Sequence, residues 1–279
     1  MPVQWWCSAT GKAWTWTWQP YPGVWILVAT LAVPAMAGRR TGLVASQRAR
    51  WSLGTALFWA SLDWPLGTMG AGYLLSAHTL QFLLIAYAAV PIVLTGVPTA
   101  WIDPIEARPA VVSWLRRVTH PIVAILAFAA VVVVSHVPAV VDALRPTQLG
   151  SFGLDMAWVL AGGLLWWPVI VQRPAFLWFA PPLRILYLFL SGISCIGIGI
   201  VLALTDLPLY RLYELAPRIE ALPVRFDQQI AAMLMWVVAH LMTLAAITIV
   251  FFEWVRGDER DSAETAAVDW PLAQRGEDE

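Results

Sequence analysis

The chain has 279 residues, of which 59% are hydrophobic and 13% charged, with a formal net charge of -1 and a mean hydropathy of +0.68. Soluble domains carry about 25% charged residues, so the composition excludes an ordinary soluble enzyme domain. The near-zero charge argues against a nucleic-acid partner.

The apolar residues come in long blocks, the mark of a polytopic membrane protein in a lipid bilayer rather than of one large soluble core. Residues 1–21 lack the basic start and apolar core of a signal peptide and read as an extracytoplasmic N-terminal segment. Seven apolar spans follow, at about 22–38, 49–65, 72–97, 119–141, 153–171, 182–205 and 227–254. The expected fold is therefore all-α, with seven transmembrane helices forming a membrane domain over 22–254. The acidic, polar stretch 255–279 reads as a flexible cytoplasmic tail. Pro34, Pro91, Pro121, Pro138 and Pro168 fall inside spans and are expected to kink them. The connection at about 206–226, with Leu212, Leu215, Ile219 and Leu222 among charges, predicts a short interfacial helix.

Basic residues give the orientation. Arg39, Arg40, Arg48 and Arg50 lie in the first connection, Arg108, Arg116 and Arg117 in the third, Arg173 and Arg184 in the fifth, and Arg256 after the last span. The alternate connections are poorer: none in the second, Arg145 alone in the fourth, and Arg211, Arg218 and Arg225 in the sixth, among acids. By the positive-inside rule the N-terminus is outside and the C-terminus cytoplasmic.

Many of the 18 tryptophans lie near span ends, including Trp14, Trp16, Trp18, Trp25, Trp51, Trp114 and Trp166, and read as interfacial belts. Cys7 and Cys195 are far apart and form no metal-ligand spacing; Cys195 reads as a small core hydrophobe.

Ionisable residues inside spans are expensive and each needs a reason. The assigned topology brings His78, His136, Asp155 and Asp227, from four different helices, to one outer level, with Met156 and Met233 at comparable depth. Imidazole and thioether are ligands suited to copper, while carboxylate suits harder ions. The same residues also have bland readings: histidines satisfying kinked helices, Asp155 and Asp227 as N-caps. A haem held between His78 and His136 is geometrically open as well. His120, before Pro121, reads as a helix start, and His240, deeper in the last span, as an interhelical hydrogen-bonder. No nucleophile elbow, P-loop, HExxH or GxGxxG motif occurs, so no enzyme active site is expected.

Several segments together resemble the CtaG-type cytochrome c oxidase assembly proteins. They are Trp18-Gln19-Pro20-Tyr21-Pro22, Ser76-Ala77-His78-Thr79-Leu80-Gln81, His120-Pro121, Ser135-His136-Val137-Pro138 with Asp142-Ala143, Ala161-Gly162-Gly163-Leu164-Leu165-Trp166-Trp167-Pro168, Asp227-Gln228-Gln229 and Met235-Trp236. The resemblance covers about 16–254. It implies a seven-helix protein of the bacterial plasma (inner) membrane that matures haem-copper oxidases, delivers copper to oxidase subunits and is not an enzyme. His78 and His136 match the family's membrane histidines. Phe82 and Asp155 stand where the family usually has two more. The resulting metal-site expectation is His78, His136, Asp155, Met156, Met233 and Asp227. The rival reading is a structural or accessory subunit of a respiratory or photosynthetic membrane complex; a small transporter is a third.

Overall fold

The computed structural model describes residues 3–37 and 42–275. Arg39 and Arg40 of the first connection lie outside the described residues. Among those described, the chain is all-helical and contains no strand.

Helix α1 (Pro22–Met36) begins on a proline, where the missing N–H has no intrahelical partner to lose. Helix α2 (Ala45–Leu62) buries Trp51, Gly54, Thr55, Phe58, Ser61 and Leu62, a three-and-four spacing that turns one stripe to the core. A short α3 (Leu66–Gly72) precedes α4 (Leu75–Thr95). Helix α4 widens into a π turn over Leu84–Ala89, just before Pro91, which breaks the regular ladder because it has no N–H to donate.

Helices α5 (Thr99–Glu106) and α6 (Pro109–Val118) lead into α7 (Pro121–Ser135), which bends away from α6 by 55°. The fourth expected span, 119–141, is not continuous. It breaks at His136–Val137, and Pro138 opens the short α8 (Pro138–Leu144), since the residue before a proline is steered out of the helical region. Helix α9 (Gln148–Ile170) starts five residues before the apolar run because Thr147 caps it, its Oγ1 accepting the Gly150 N–H at 3.0 Å.

Helix α10 (Pro181–Leu204) is interrupted at Gly192. The 206–226 connection contains α11 (Arg211–Leu215). The final helix, α12, is built from Val224–Met233, a π turn over Leu234–Val238, and Ala239–Arg275. It therefore continues past the end of the seventh apolar span, and the expected tail is helical through Arg275.

Among the described residues, four helices are long and apolar enough to cross a membrane: α4, α9, α10 and the Val224–Arg260 part of α12. The bent α6–α7 pair brings the number to five, and α1 is a shorter apolar helix. This is the pattern of a multi-pass membrane protein. The main core lies where α4, α7 and α9 meet, around Phe82, Ile85, Phe128, Val132, Trp158 and Leu165.

The bundle has two chemically different ends. At one end a hydrogen bond from Arg116 Nη1 reaches the Ala175 carbonyl at 2.8 Å, and Arg173 pairs with Asp103 at 2.6 Å and with Glu106. A Cβ on Gly96 would meet Gln47 O and Trp51 N at 3.1 Å. The starts of α2, α6 and α7 and the ends of α4 and α9 therefore share this arginine-rich end. The start of α4, the end of α7 and the starts of α9 and α12 gather at the opposite end.

The tryptophans divide between surface and interior. Trp16, Trp18, Trp59 and Trp114 are exposed. Trp166, read as interfacial, is instead buried and donates its indole N–H to the Ala86 carbonyl at 2.8 Å; a buried indole needs such a partner. Cys195 packs in the core as expected, and Cys7 is likewise buried and free.

Candidate functional site

His78 sits one turn into α4, and His136 ends α7. Both are buried, and their ring centroids are 5.3 Å apart at an interplanar angle of 79°. Their hydrogen bonds fix which nitrogen is protonated. Arg145 Nε lies 3.1 Å from His78 Nδ1. Guanidinium can only donate, so His78 Nδ1 accepts and a neutral ring carries its proton on Nε2. His136 is the reverse case. Its Nδ1 lies 2.8 Å from the Val132 carbonyl, which can only accept, so the proton is on Nδ1 and Nε2 offers a lone pair. Both Nε2 atoms are buried without a hydrogen-bond partner among the described residues.

Arg145 is the residue that sequence reading placed in a loop. It follows α8 and is fully buried, at 0% exposure. Its Nη1 pairs with Asp155 Oδ1 at 3.0 Å, and its guanidinium lies 4.9 Å from the Trp158 ring centroid. Asp155 also accepts from Trp6 Nε1 at 2.8 Å and Gln81 Nε2 at 3.3 Å. Its carboxylate is thus engaged by three donors. It does not cap α9, as one reading had it, because it lies two turns inside that helix. One signal could have exposed Arg145: it is the lone arginine of the fourth connection, on the side otherwise poor in basic residues, and such a charge beside membrane spans requires a partner.

Asp227 caps a helix, although not its own. Oδ2 accepts the Leu75 N–H at 2.7 Å and Oδ1 the Ser76 N–H at 3.1 Å, with the Ser76 hydroxyl also donating. It therefore holds the start of α4, three residues before His78. The start of α12 has no side-chain cap. The reason is tertiary: α12 packs beside α4, so the carboxylate finds free N–H groups across the interface.

Neither methionine joins the histidines. Met156 lines an apolar cavity of about 610 Å³ with Phe58, Trp114 and Trp167. Met233 is half exposed on the outer face of α12, beside Phe226 and Trp236. Phe82 is fully buried against His136, with ring centroids 5.2 Å apart. Among the described residues no three His, Cys, Asp or Glu side chains are grouped for a metal ion.

The 206–226 connection, expected to lie in the interface, also reaches inward. Tyr213 is buried with its ring 6.1 Å from His78, and its hydroxyl donates to the Gly70 carbonyl at 2.6 Å. The Tyr210 hydroxyl donates to the His136 carbonyl at 2.6 Å. Trp158 donates to Ser135 Oγ at 2.9 Å and packs 5.0 Å from His78. The other two histidines lie apart. His120 caps α7 through Nδ1, as its position before Pro121 predicts. His240 bonds not to another helix but to the Trp236 carbonyl one turn back in its own.

A multi-pass helical bundle with a His–His–Arg–Asp cluster buried between its helices defines the class: a polytopic membrane protein. The chain matches the family described as cytochrome c oxidase caa3 assembly factor (Caa3_CtaG) over residues 24–257. It belongs to that family and is an oxidase assembly factor. Comparison with curated proteins and with solved structures returned no match.

Proposed function

We propose that this assembly factor crosses the bacterial plasma membrane seven times, N-terminus outside, and holds a copper ion between His78 and His136 near the outer face for transfer to an oxidase subunit. The observation that carries the reading is the pair of buried, unpartnered Nε2 atoms on rings 5.3 Å apart. Imidazole–metal bonds of about 2.0 Å allow two rings to share an ion at such a separation. Imidazole is a copper ligand, and a site with two protein ligands leaves room for ligand exchange with a receiving subunit.

Arg145 does not forbid a cation there, because Asp155 neutralises it within the same ion pair. A neutral imidazole offers copper its unprotonated nitrogen, so binding at His78 Nε2 would move the ring's proton to Nδ1 and give up the hydrogen bond from Arg145 Nε. The orientation rests on the arginine-rich end facing the cytoplasm, which puts the histidines near the outer surface.

The test is copper binding by the purified chain, followed by metal analysis. The wild-type chain should bind one copper, and His78→Ala and His136→Ala should each lose it. A wild-type chain that binds none, or variants that retain it, would overturn the copper role. The family assignment would still stand.

A further inference from the structure

At the arginine-rich end, the elbow between α6 and α7 borders an open surface cavity of about 510 Å³ lined by Pro109, Val112, Ser113, Arg116, Arg117, His120 and Trp178. No carboxylate lines it. Arg116 is fixed in place: Nη1 donates to the Ala175 carbonyl at 2.8 Å, and the guanidinium lies 4.8 Å from the Trp178 ring centroid. Arg117 is exposed, and its side chain has no partner among the described residues. His120 Nδ1 accepts the Ile122 N–H at 3.3 Å, so Nε2 carries a proton and is a donor. Its ring packs 4.9 Å from Trp178, whose indole N–H also lacks a partner among the described residues. Two guanidiniums, an imidazole N–H and the Ser113 hydroxyl thus surround one cavity, with apolar walls at Pro109, Val112 and Trp178.

Helix α6 itself has an interfacial character. None of its residues is buried, and Val111, Leu115 and Val118 share it with Arg116 and Arg117. It leaves the direction of the apolar α7 by 55°, as a helix lying along a membrane surface does. We propose that this elbow binds an anionic phospholipid of the adjoining leaflet, with its phosphate held by Arg117, Arg116 and His120. Basic pockets beside membrane helices suit such headgroups, and arginine supplies charge-assisted, forked bonds to phosphate. The apolar walls suit the glycerol and the first carbons of the acyl chains. This site is separate from the histidine pair and does not depend on copper.

The test uses the full chain in detergent, titrated with phosphatidylglycerol and with phosphatidylcholine, with bound lipids counted by native mass spectrometry. Phosphatidylglycerol should be retained preferentially, and Arg117→Gln should weaken that retention about tenfold, the loss of one charge-assisted bond. Arg117 is exposed, so the variant keeps its fold; Ser113→Ala provides a second, milder variant with the same direction of change. Arg50→Gln, a control at the same end but outside the cavity, should leave retention unchanged. Equal retention of the two lipids, or equal loss in Arg50→Gln, would overturn the site in favour of diffuse attraction. Displacement by glycerol phosphate at the lipid's own concentration would overturn the lipid in favour of a soluble phosphate ester.

Discussion

Arg145 donates from Nε to His78 Nδ1 at 3.1 Å while its Nη1 pairs with Asp155 at 3.0 Å. One guanidinium therefore fixes the tautomer of a candidate ligand and pairs with the buried Asp155 beside it. Helices α4 and α9 and the connection after α8 are tied at this point, and the N-terminal segment joins through Trp6.

Breaking that pair from either side should be costly, because each partner leaves the other charged and buried. Arg145→Met is expected to lose about 3–5 kcal/mol of stability. Asp155→Asn should also destabilise, and the double variant should lose less than the sum of the two. Reversible unfolding of the four proteins in detergent gives the coupling directly. Additivity within about 0.5 kcal/mol would show that the charges act independently.

Asp227→Ala should cost about 1–2 kcal/mol, the range for losing a helix cap, because it frees the Leu75 and Ser76 N–H groups. The damage should appear at the start of α4 rather than of α12. Hydrogen exchange resolved by segment would locate it, and faster exchange confined to 224–228 would contradict the cross-helix cap.

Gly70 lies where two backbones meet. A Cβ there would come within 2.8 Å of Gln81 Oε1 and 3.0 Å of His78 N. Gly70→Ala should therefore destabilise by about 1–3 kcal/mol through overpacking. Gly163→Ala in α9 is the control, since its Cβ would meet nothing within 4 Å. There alanine should be neutral or stabilising by up to about 1 kcal/mol. Thermal unfolding of both variants checks the contrast.

At the arginine-rich end, the hydrogen bond from Arg173, aided by its charge, holds the Glu106 carboxyl below its ordinary value of 4.5. The folded chain thus binds this proton less readily than the unfolded one. The stabilisation is complete above pH 4.5 and disappears as pH falls through the lower folded-state value. Protection factors around 103–106 and 173–176 should decline over that acidic range. Glu106→Gln should flatten the decline, and an unchanged profile would rule out this pair as its cause.

Much of the architecture is written locally. The long apolar blocks at 72–97, 153–171, 182–205 and 227–254 each overlap one of the long apolar helices, because twenty apolar residues in helical register leave few other solutions. His120 before Pro121 announced the start of α7. Boundaries depended on single side chains rather than on the apolar runs: Thr147 moved the start of α9, and Pro138 split the fourth span.

Composition, apolar pattern and motifs are enough to mark this chain as a helical membrane protein of the oxidase assembly family and to single out His78 and His136. Their surroundings depend on how the helices pack. Arg145, Trp6 and Tyr213 come from three separate segments, and nothing in their own neighbourhoods directs them to this centre. Packing also separates Met156 and Met233 from the pair and gives Asp227 to a foreign helix. The physical reason is that helix formation is set by local hydrogen bonding and apolar pattern, whereas the partner of a buried charge is set by which helices pack together. In a bundle, that choice follows from the fit of all the side chains at once.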